Sequence, residues 1–291
     1  MPSSPDRVPD LPGTRLLSSV GREGRKALDC LALNPDRAVL VIASHGVLYR
    51  FGGRPHASEP NRRWMEPLRR LRTVLRAICY LDSHDLAVLN AQGLPGLRPD
   101  EELRFDAVTE GGLAAYVNGD HQEWPVPDPP ELREQVKQLL RRLELAESVQ
   151  LIEVPPRCVR VHRVNSLGND ELWNLQGELR GAGEDEGSDV RAGRDFIEVG
   201  ARPSGETAVH RYLLEVGGVG TVVFVGHFLR DLSAFPALDR LRTWGIPALK
   251  VGVGTSIPYP DSEADLWLKD LKDVPLLLEE LYSLTGRYGT A

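Results

Sequence analysis

The stretch "VLVIASHGVLYRF", Val39 to Phe51, decides how this chain is read. Val39, Leu40, Val41 and Ile42 form a short apolar run rich in β-branched residues, which predicts a buried strand of a parallel sheet. In open sheets of that kind, ligands bind beyond the carboxyl ends of the strands. The residues that follow the run, Ala43, Ser44, His45 and Gly46, therefore fall where a site belongs.

Outward from this strand, Leu16 to Leu33 has helical spacing, and "NRRWMEPLRRLRTVLRAI" places Leu68, Leu71, Val74, Leu75 and Ile78 on one face of an amphipathic helix. "DLAVLNAQGL" predicts a second buried strand, Leu86 to Leu89, so that strand, helix and strand make a βαβ unit. The prolines of "PVPDPPELREQVKQLL" mark a boundary before a helix from Glu131 to Leu143. "VQLIEV", "RCVRVHRV", a helix around Asp170 to Leu179, the acidic loop "GAGEDEGSD" and "DFIEVG" then suggest a small separate layer. The first pattern resumes with "TAVHRYLLEV", the strand "TVVFVGHF", the helix "DLSAFPALDRLRTW", the strand "ALKVGVG" and the closing "ADLWLKDLKDVPLLLEELYSL". The expected architecture is α/β, a doubly wound parallel-sheet core of residues 1–124 and 201–291 with a small α/β cap inserted at 125–200.

Composition narrows the function. Of 291 residues, 41% are hydrophobic and 26% charged, an ordinary balance for a globular chain. The net charge of -7 argues against a nucleic-acid partner, because such binders concentrate Lys and Arg. The run Arg62, Arg63, Arg69, Arg70, Arg72 and Arg76 is read as a solvated helix face. Cys30, Cys79 and Cys158 are widely spaced without a Cys-x-x-Cys motif, which fits reduced thiols in the cytoplasm. Neither a signal peptide nor a membrane span is expected, since the start is polar and the apolar runs are of strand length.

Two stretches carry a family resemblance. "VLVIASHGVL" resembles the first motif of the haloacid dehalogenase (HAD) superfamily, usually Asp-x-Asp-Gly-Thr-Leu, and "TVVFVGHFLRDLSAF" resembles its last, usually Gly-Asp-x-x-x-Asp. The order of motifs, with a cap between the second and third, resembles the trehalose-6-phosphate phosphatase branch across nearly the whole chain. "LIEVPPRCVRVHRV" looks like that branch's cap signature, with Glu153 and His162 as the implied sugar-contacting residues, and "FIEVGARPSGETAV" looks like its Glu-x-x-Pro and Lys-Gly-x-Ala segment.

The resemblance implies a HAD-like core, and it also places substitutions at the chemistry. Ala43 stands where the family has the aspartate that forms an aspartyl-phosphate, and alanine has no nucleophile. His45 stands at the acid–base aspartate, where an imidazole retains acid–base capacity. Asn90 is matched to the motif-two Ser or Thr, the family's Lys is replaced near Gly205 and Glu206, and His227 replaces a metal-binding aspartate, leaving Asp231. Magnesium prefers carboxylate oxygens, so Mg²⁺-dependent phosphoryl transfer is not expected and no cofactor is required. The turn through Ser44, His45 and Gly46 is read as a backbone cradle for an anion.

Three readings follow. One is a catalytically degenerate sugar-phosphatase-like protein that binds a sugar phosphate, another small molecule or a protein partner as a binding or regulatory subunit. Another is an enzyme with replaced chemistry, in which His45, His227 and Asp231 offer the donor set of a transition-metal site. The third is an ordinary trehalose-6-phosphate or related sugar-phosphate phosphatase.

Overall fold

The computed structural model describes residues 15–48, 62–91, 93–98, 101–124, 132–154, 158–163, 171, 174–179, 189–192, 196–200, 205–227, 231–254 and 264–286. Its larger sheet has eight strands. In chain order these are β1 (Ala38–Ala43), β2 (Ala77–Leu81), β3 (Asp106–Thr109), β4 (Ala114–Val117), β5 (Asp120–Glu123), β10 (Thr221–His227), β11 (Ala248–Val253) and β12 (Leu266–Leu268), arranged β12-β11-β10-β1-β2-β3-β4-β5. From β12 through β3 every pairing is parallel, and β4 and β5 extend the edge antiparallel.

Alternation along β1 sorts the two faces. Leu40 and Ile42 join a core with Leu28 and Leu31 of α1 (Arg22–Leu33), Leu68 and Leu71 of α2 (Met65–Arg72), and Leu277 and Leu281 of the last helix (Val274–Thr285). Val39 and Val41 face the other side, against Ala208 and Tyr212 of a helix at Gly205–Val216 and Leu238 and Leu241 of a helix at Phe235–Thr243. A sheet buried on both faces needs apolar strands; β1 is apolar throughout, β10 is apolar from Val222 through Val225, and β11 is interrupted by a buried Lys250 that pairs with Asp239 at 2.9 Å. The doubly wound α/β core expected from the sequence is therefore present.

Residues between the two parts of that core build a second sheet with its own apolar centre. β6 (Val149–Val154), β7 (Cys158–Arg163), β8 (Asp189–Ala192) and β9 (Phe196–Gly200) pair antiparallel in the order β6-β7-β9-β8. Val161 and Ile197 pack with Val136 and Leu140 of a helix at Leu132–Arg142 and with Leu175 and Leu179. Residues 174–179 are helical, and the rest of the expected helix around Asp170 to Leu179 lies largely outside the described residues, as does the acidic loop.

Two local expectations are corrected. The helix expected to run to Ile78 ends at Arg72, and Ala77–Leu81 is β2. The strand expected at Leu86 to Leu89 is instead a helix, α3 (Leu86–Ala91). Asp85 explains the second: its carboxylate accepts the Val88 amide at 2.8 Å, an N-cap that starts a helix where a short apolar run alone is ambiguous. The arginine run is also more integrated than a solvated face. Arg72 donates to the Arg104 carbonyl at 2.6 Å, Arg76 to the Val216 carbonyl at 2.9 Å, and Arg70 pairs with Glu279 and lies 4.7 Å from the Tyr282 ring centroid.

A buried polar group sits at the start of β3. Asp106 accepts the Tyr212 hydroxyl at 2.8 Å and the Asn118 amide at 2.9 Å, yet burial raises its carboxyl above the ordinary carboxylate range. Burial also pushes the nearby Cys79 thiol well up, so this cysteine is an inert core thiol. The folded state holds the Asp106 proton more tightly than the unfolded chain does. Its contribution is present below the unfolded carboxylate pKa and is lost as pH rises through the raised folded value. Asp106→Asn retains an acceptor for Asn118 and a partner for Tyr212. Its melting temperature at pH 7 is expected to equal or exceed the parent's, with any parental advantage confined to acid; a fall of several degrees at pH 7 would refute this. Among the described residues no helix is long and apolar enough to cross a membrane.

Candidate active-site cleft

Three strand ends converge on one open cleft, enclosing about 420 Å³ when its solvent-open space is counted. Ala43 and His45 come from the end of β1, Asp82 and Ser83 from the end of β2, and Asp231 from the loop after β10. Gly205 closes the far wall. This is the carboxyl edge of the parallel sheet, where the fold places ligands.

The β1 end is tightly built. Ala43 is only 2% exposed, and the Ser44 amide donates to the Leu81 carbonyl at 3.2 Å, continuing the ladder between β1 and β2. The chain then turns through Gly46, whose φ of 78° suits glycine, and the Leu48 amide closes the turn on the Ser44 carbonyl at 2.9 Å. The anion cradle expected here is thus narrowed, because the Ser44 amide is already engaged. The Ser44 hydroxyl is buried without a hydrogen-bond partner among the described residues.

Correcting the position of β2 changes the composition of the site. The residues after this strand that line the cleft are Asp82 and Ser83, with His84 next in the chain and held to Asp82, whereas Asn90 lies on α3 and is not among the lining residues. Asp82 is the central group. Its carboxylate is fully buried and bridges two imidazoles, 2.7 Å from His45 Nδ1 through Oδ2 and 2.7 Å from His84 Nδ1 through Oδ1. The His84 amide also donates to Oδ1 at 2.8 Å, and the two rings lie 4.6 Å apart at 32°. A buried carboxylate needs hydrogen-bond partners, and the two imidazoles and the His84 amide surround this one. Neither Asp82 nor His84 belongs to a motif singled out in the sequence; the signal was the polar "DSH" directly after "AICYL".

At β10, the His227 amide donates to Asp231 Oδ2 at 2.7 Å, and the Asp231 amide returns a bond to the His227 carbonyl at 3.1 Å. Gly226 makes this tight turn feasible, since a Cβ there would lie 2.8 Å from Asp231 Cβ. His227 Nδ1 is buried. The expected His45, His227 and Asp231 metal triad is corrected: among the described residues, the only three such side chains with ligand atoms within 4.8 Å of one another are His45, Asp82 and His84.

The position matched to the family's lysine is structurally closed. A Cβ on Gly205 would lie 2.6 Å from Ser233 Oγ and 2.9 Å from Ala234 N, and Glu206 pairs with Arg240 at 2.9 Å. No Lys or Arg lines the cleft among the described residues. Among the described residues, the two carboxylates that line the cleft are both engaged, Asp82 with two imidazoles and one Asp231 oxygen with the His227 amide. The two implied sugar-contacting residues lie on the second sheet, Glu153 on β6 opposite Val159 and His162 on β7 opposite Gln150 and Phe196.

No family model and no curated protein sequence matches the chain. Solved structures do. The trehalose-6-phosphate phosphatase of Aspergillus fumigatus superposes with a TM-score of 0.62 at 18% identity, covering 91% of this chain and 98% of that one. The C-terminal domain of the Candida albicans trehalose-6-phosphate phosphatase gives 0.65 at 16% identity, covering 93% and 99%. The C-terminal domain of the Candida albicans trehalose synthase regulatory protein gives 0.59 at 13% identity, covering 94% and 100%. The chain therefore shares the fold of the trehalose-6-phosphate phosphatase structures.

Proposed function

We propose that this protein is a non-catalytic relative of the sugar phosphatases that uses the cleft to bind an anionic small molecule, a sugar phosphate in the first instance, as a binding or regulatory subunit. The observation that carries the reading is Ala43, a buried methyl group at the strand end where aspartyl-phosphate chemistry needs a carboxylate. The closed Gly205 position, where the resemblance places a lysine, supports it. So does the occurrence of the same fold in a protein named for a regulatory role.

Binding without turnover is the test. A ligand that binds only the folded state raises apparent stability. Trehalose-6-phosphate and a panel of hexose phosphates are expected to include at least one compound that raises the melting temperature while free phosphate stays at background. A panel with no stabilising member, or one whose stabilising member is consumed, would count against the proposal.

One observation favours a second reading. Asp82 fixes the orientation of the His45 ring, which is how a general base or acid is held in many enzymes. Replaced acid–base chemistry at His45 is that alternative, and product formation without Mg²⁺ that disappears in His45→Ala distinguishes it.

A further inference from the structure

Resting on the binding reading, the cleft brings two imidazoles and a buried carboxylate together at the ends of β1 and β2. We infer that His45, Asp82 and His84 form a three-ligand site for a zinc-class divalent ion, whose remaining position faces the cleft and takes an anionic oxygen of the ligand. The donor set is two imidazoles and one carboxylate, with ligand atoms mutually within 4.8 Å. Such a set suits zinc or ferrous iron, and three protein ligands with one open position is the arrangement that zinc uses when it binds an external group.

The frame of the site is fixed by its backbone. The Asp82 amide donates to the Val108 carbonyl at 2.9 Å, and the Gly111 amide donates to the Asp82 carbonyl at 3.0 Å. The Glu110 amide donates to the His84 carbonyl at 2.9 Å. This places the hairpin between β3 and β4 directly behind the ligands. The Asp82 side chain is fully buried, while the His45 and His84 side chains are 12% and 27% exposed, so an ion reaches the carboxylate from the imidazole side. A bound ion takes the lone pair of each Nδ1, so each neutral ring carries its proton at Nε2 and any second proton passes to solvent. Ligand atoms about 2.0–2.2 Å from tetrahedral zinc stand roughly 3.3 Å apart, so the present 2.7 Å contacts open by only a few tenths of an ångström to admit the metal. One Zn²⁺ against one carboxylate leaves a net positive centre for the anion.

The test uses the full chain made without an affinity tag and stripped with a chelator. Equilibrium dialysis against Zn²⁺ with elemental analysis is expected to give one zinc per chain and a raised melting temperature. Co²⁺ in place of zinc should develop the intense visible absorption of four-coordinate cobalt. His84→Ala and the size-preserving His84→Gln should each weaken binding at least ~10-fold, with near-UV circular dichroism confirming that the variants fold. His121→Ala, outside the cleft, should bind as the parent does. A parent that takes up no zinc overturns the site, as does binding that survives both His84 variants or is lost only in His227→Ala. The two readings also separate. Metal-free protein that still binds a sugar phosphate overturns the site and leaves the binding reading standing, whereas zinc-dependent hydrolysis of an aryl phosphate supports the site and overturns the binding-only reading.

Discussion

Incubated with Mg²⁺ and either trehalose-6-phosphate or an aryl phosphate, the protein is expected to release phosphate no faster than the buffer does. The covalent step of the related chemistry needs a carboxylate where Ala43 presents a methyl group. Loss of a nucleophile from a catalytic set costs on the order of 10⁶ in rate, which takes a typical enzyme of about 10 turnovers per second below detection. Ala43→Asp alone is expected to remain inactive. The new carboxylate would sit at a position only 2% exposed, close to Asp82, with Asp231 Oδ2 already bonded to the His227 amide and with no lysine able to enter at Gly205. The variant is also expected to be less stable than the parent, because an unpaired charge is buried. Steady turnover by the parent in the range of roughly 1 to 1000 per second would end the non-catalytic reading.

Trp64→Ala is expected to be the most destabilising single truncation near the cleft, by about 3–5 kcal/mol. Trp64 is 1% exposed within the core that contains Leu68 and Leu71, so it fills space rather than stacking on a ligand. Its indole N–H also donates to the Leu48 carbonyl at 3.2 Å, at the far end of the turn that begins with Ser44 and carries His45. Truncation removes the ring contacts and leaves a buried carbonyl without that partner, which adds to the cost of the cavity. At about 2–4 °C per kcal/mol for a domain of this size, the melting temperature should fall by roughly 10 °C. Trp64→Phe, which keeps most of the apolar volume, should lose less than half as much. A fall of under about 1 kcal/mol for Trp64→Ala would show that the indole does not anchor this turn.

Much of the architecture was legible because it depends on local pattern. The strand at Val39 to Ile42, the strand ending at His227, the strand in "ALKVGVG" and the helices "TAVHRYLLEV" and "DLSAFPALDRLRTW" are each long enough, and apolar enough, for period and length to identify them. β2 was missed because "LRTVLRAICYL" keeps helical spacing past the end of α2; Thr73 Oγ1 bonds the Arg70 carbonyl at the helix end, and the chain is then drawn into the sheet beside β1. The edge hairpin of β4 and β5 was missed for a different reason. Its strands are four residues each, and β5 is mostly exposed and polar, so it carries no apolar alternation to read.

The sequence by itself determined that a parallel strand ends at Ala43, that no carboxylate follows where the resemblance expects two, and that His227 and Asp231 sit at a second strand end. Those statements need only residue identity and the local preference of apolar runs. Which polar groups meet was decided by tertiary structure. His45 and Asp82 are 37 residues apart, and they meet because β1 and β2 pair in parallel with Ala43 opposite Leu81, which puts the next residues of both strands at one mouth. Moving the second strand from Leu86–Leu89 to Ala77–Leu81 exchanges Asn90 for Asp82 at that mouth, with His84 held beside it. Short apolar segments cannot specify their own register, because a strand is fixed only by the neighbour that accepts its hydrogen bonds. The chemistry of this cleft follows from that pairing.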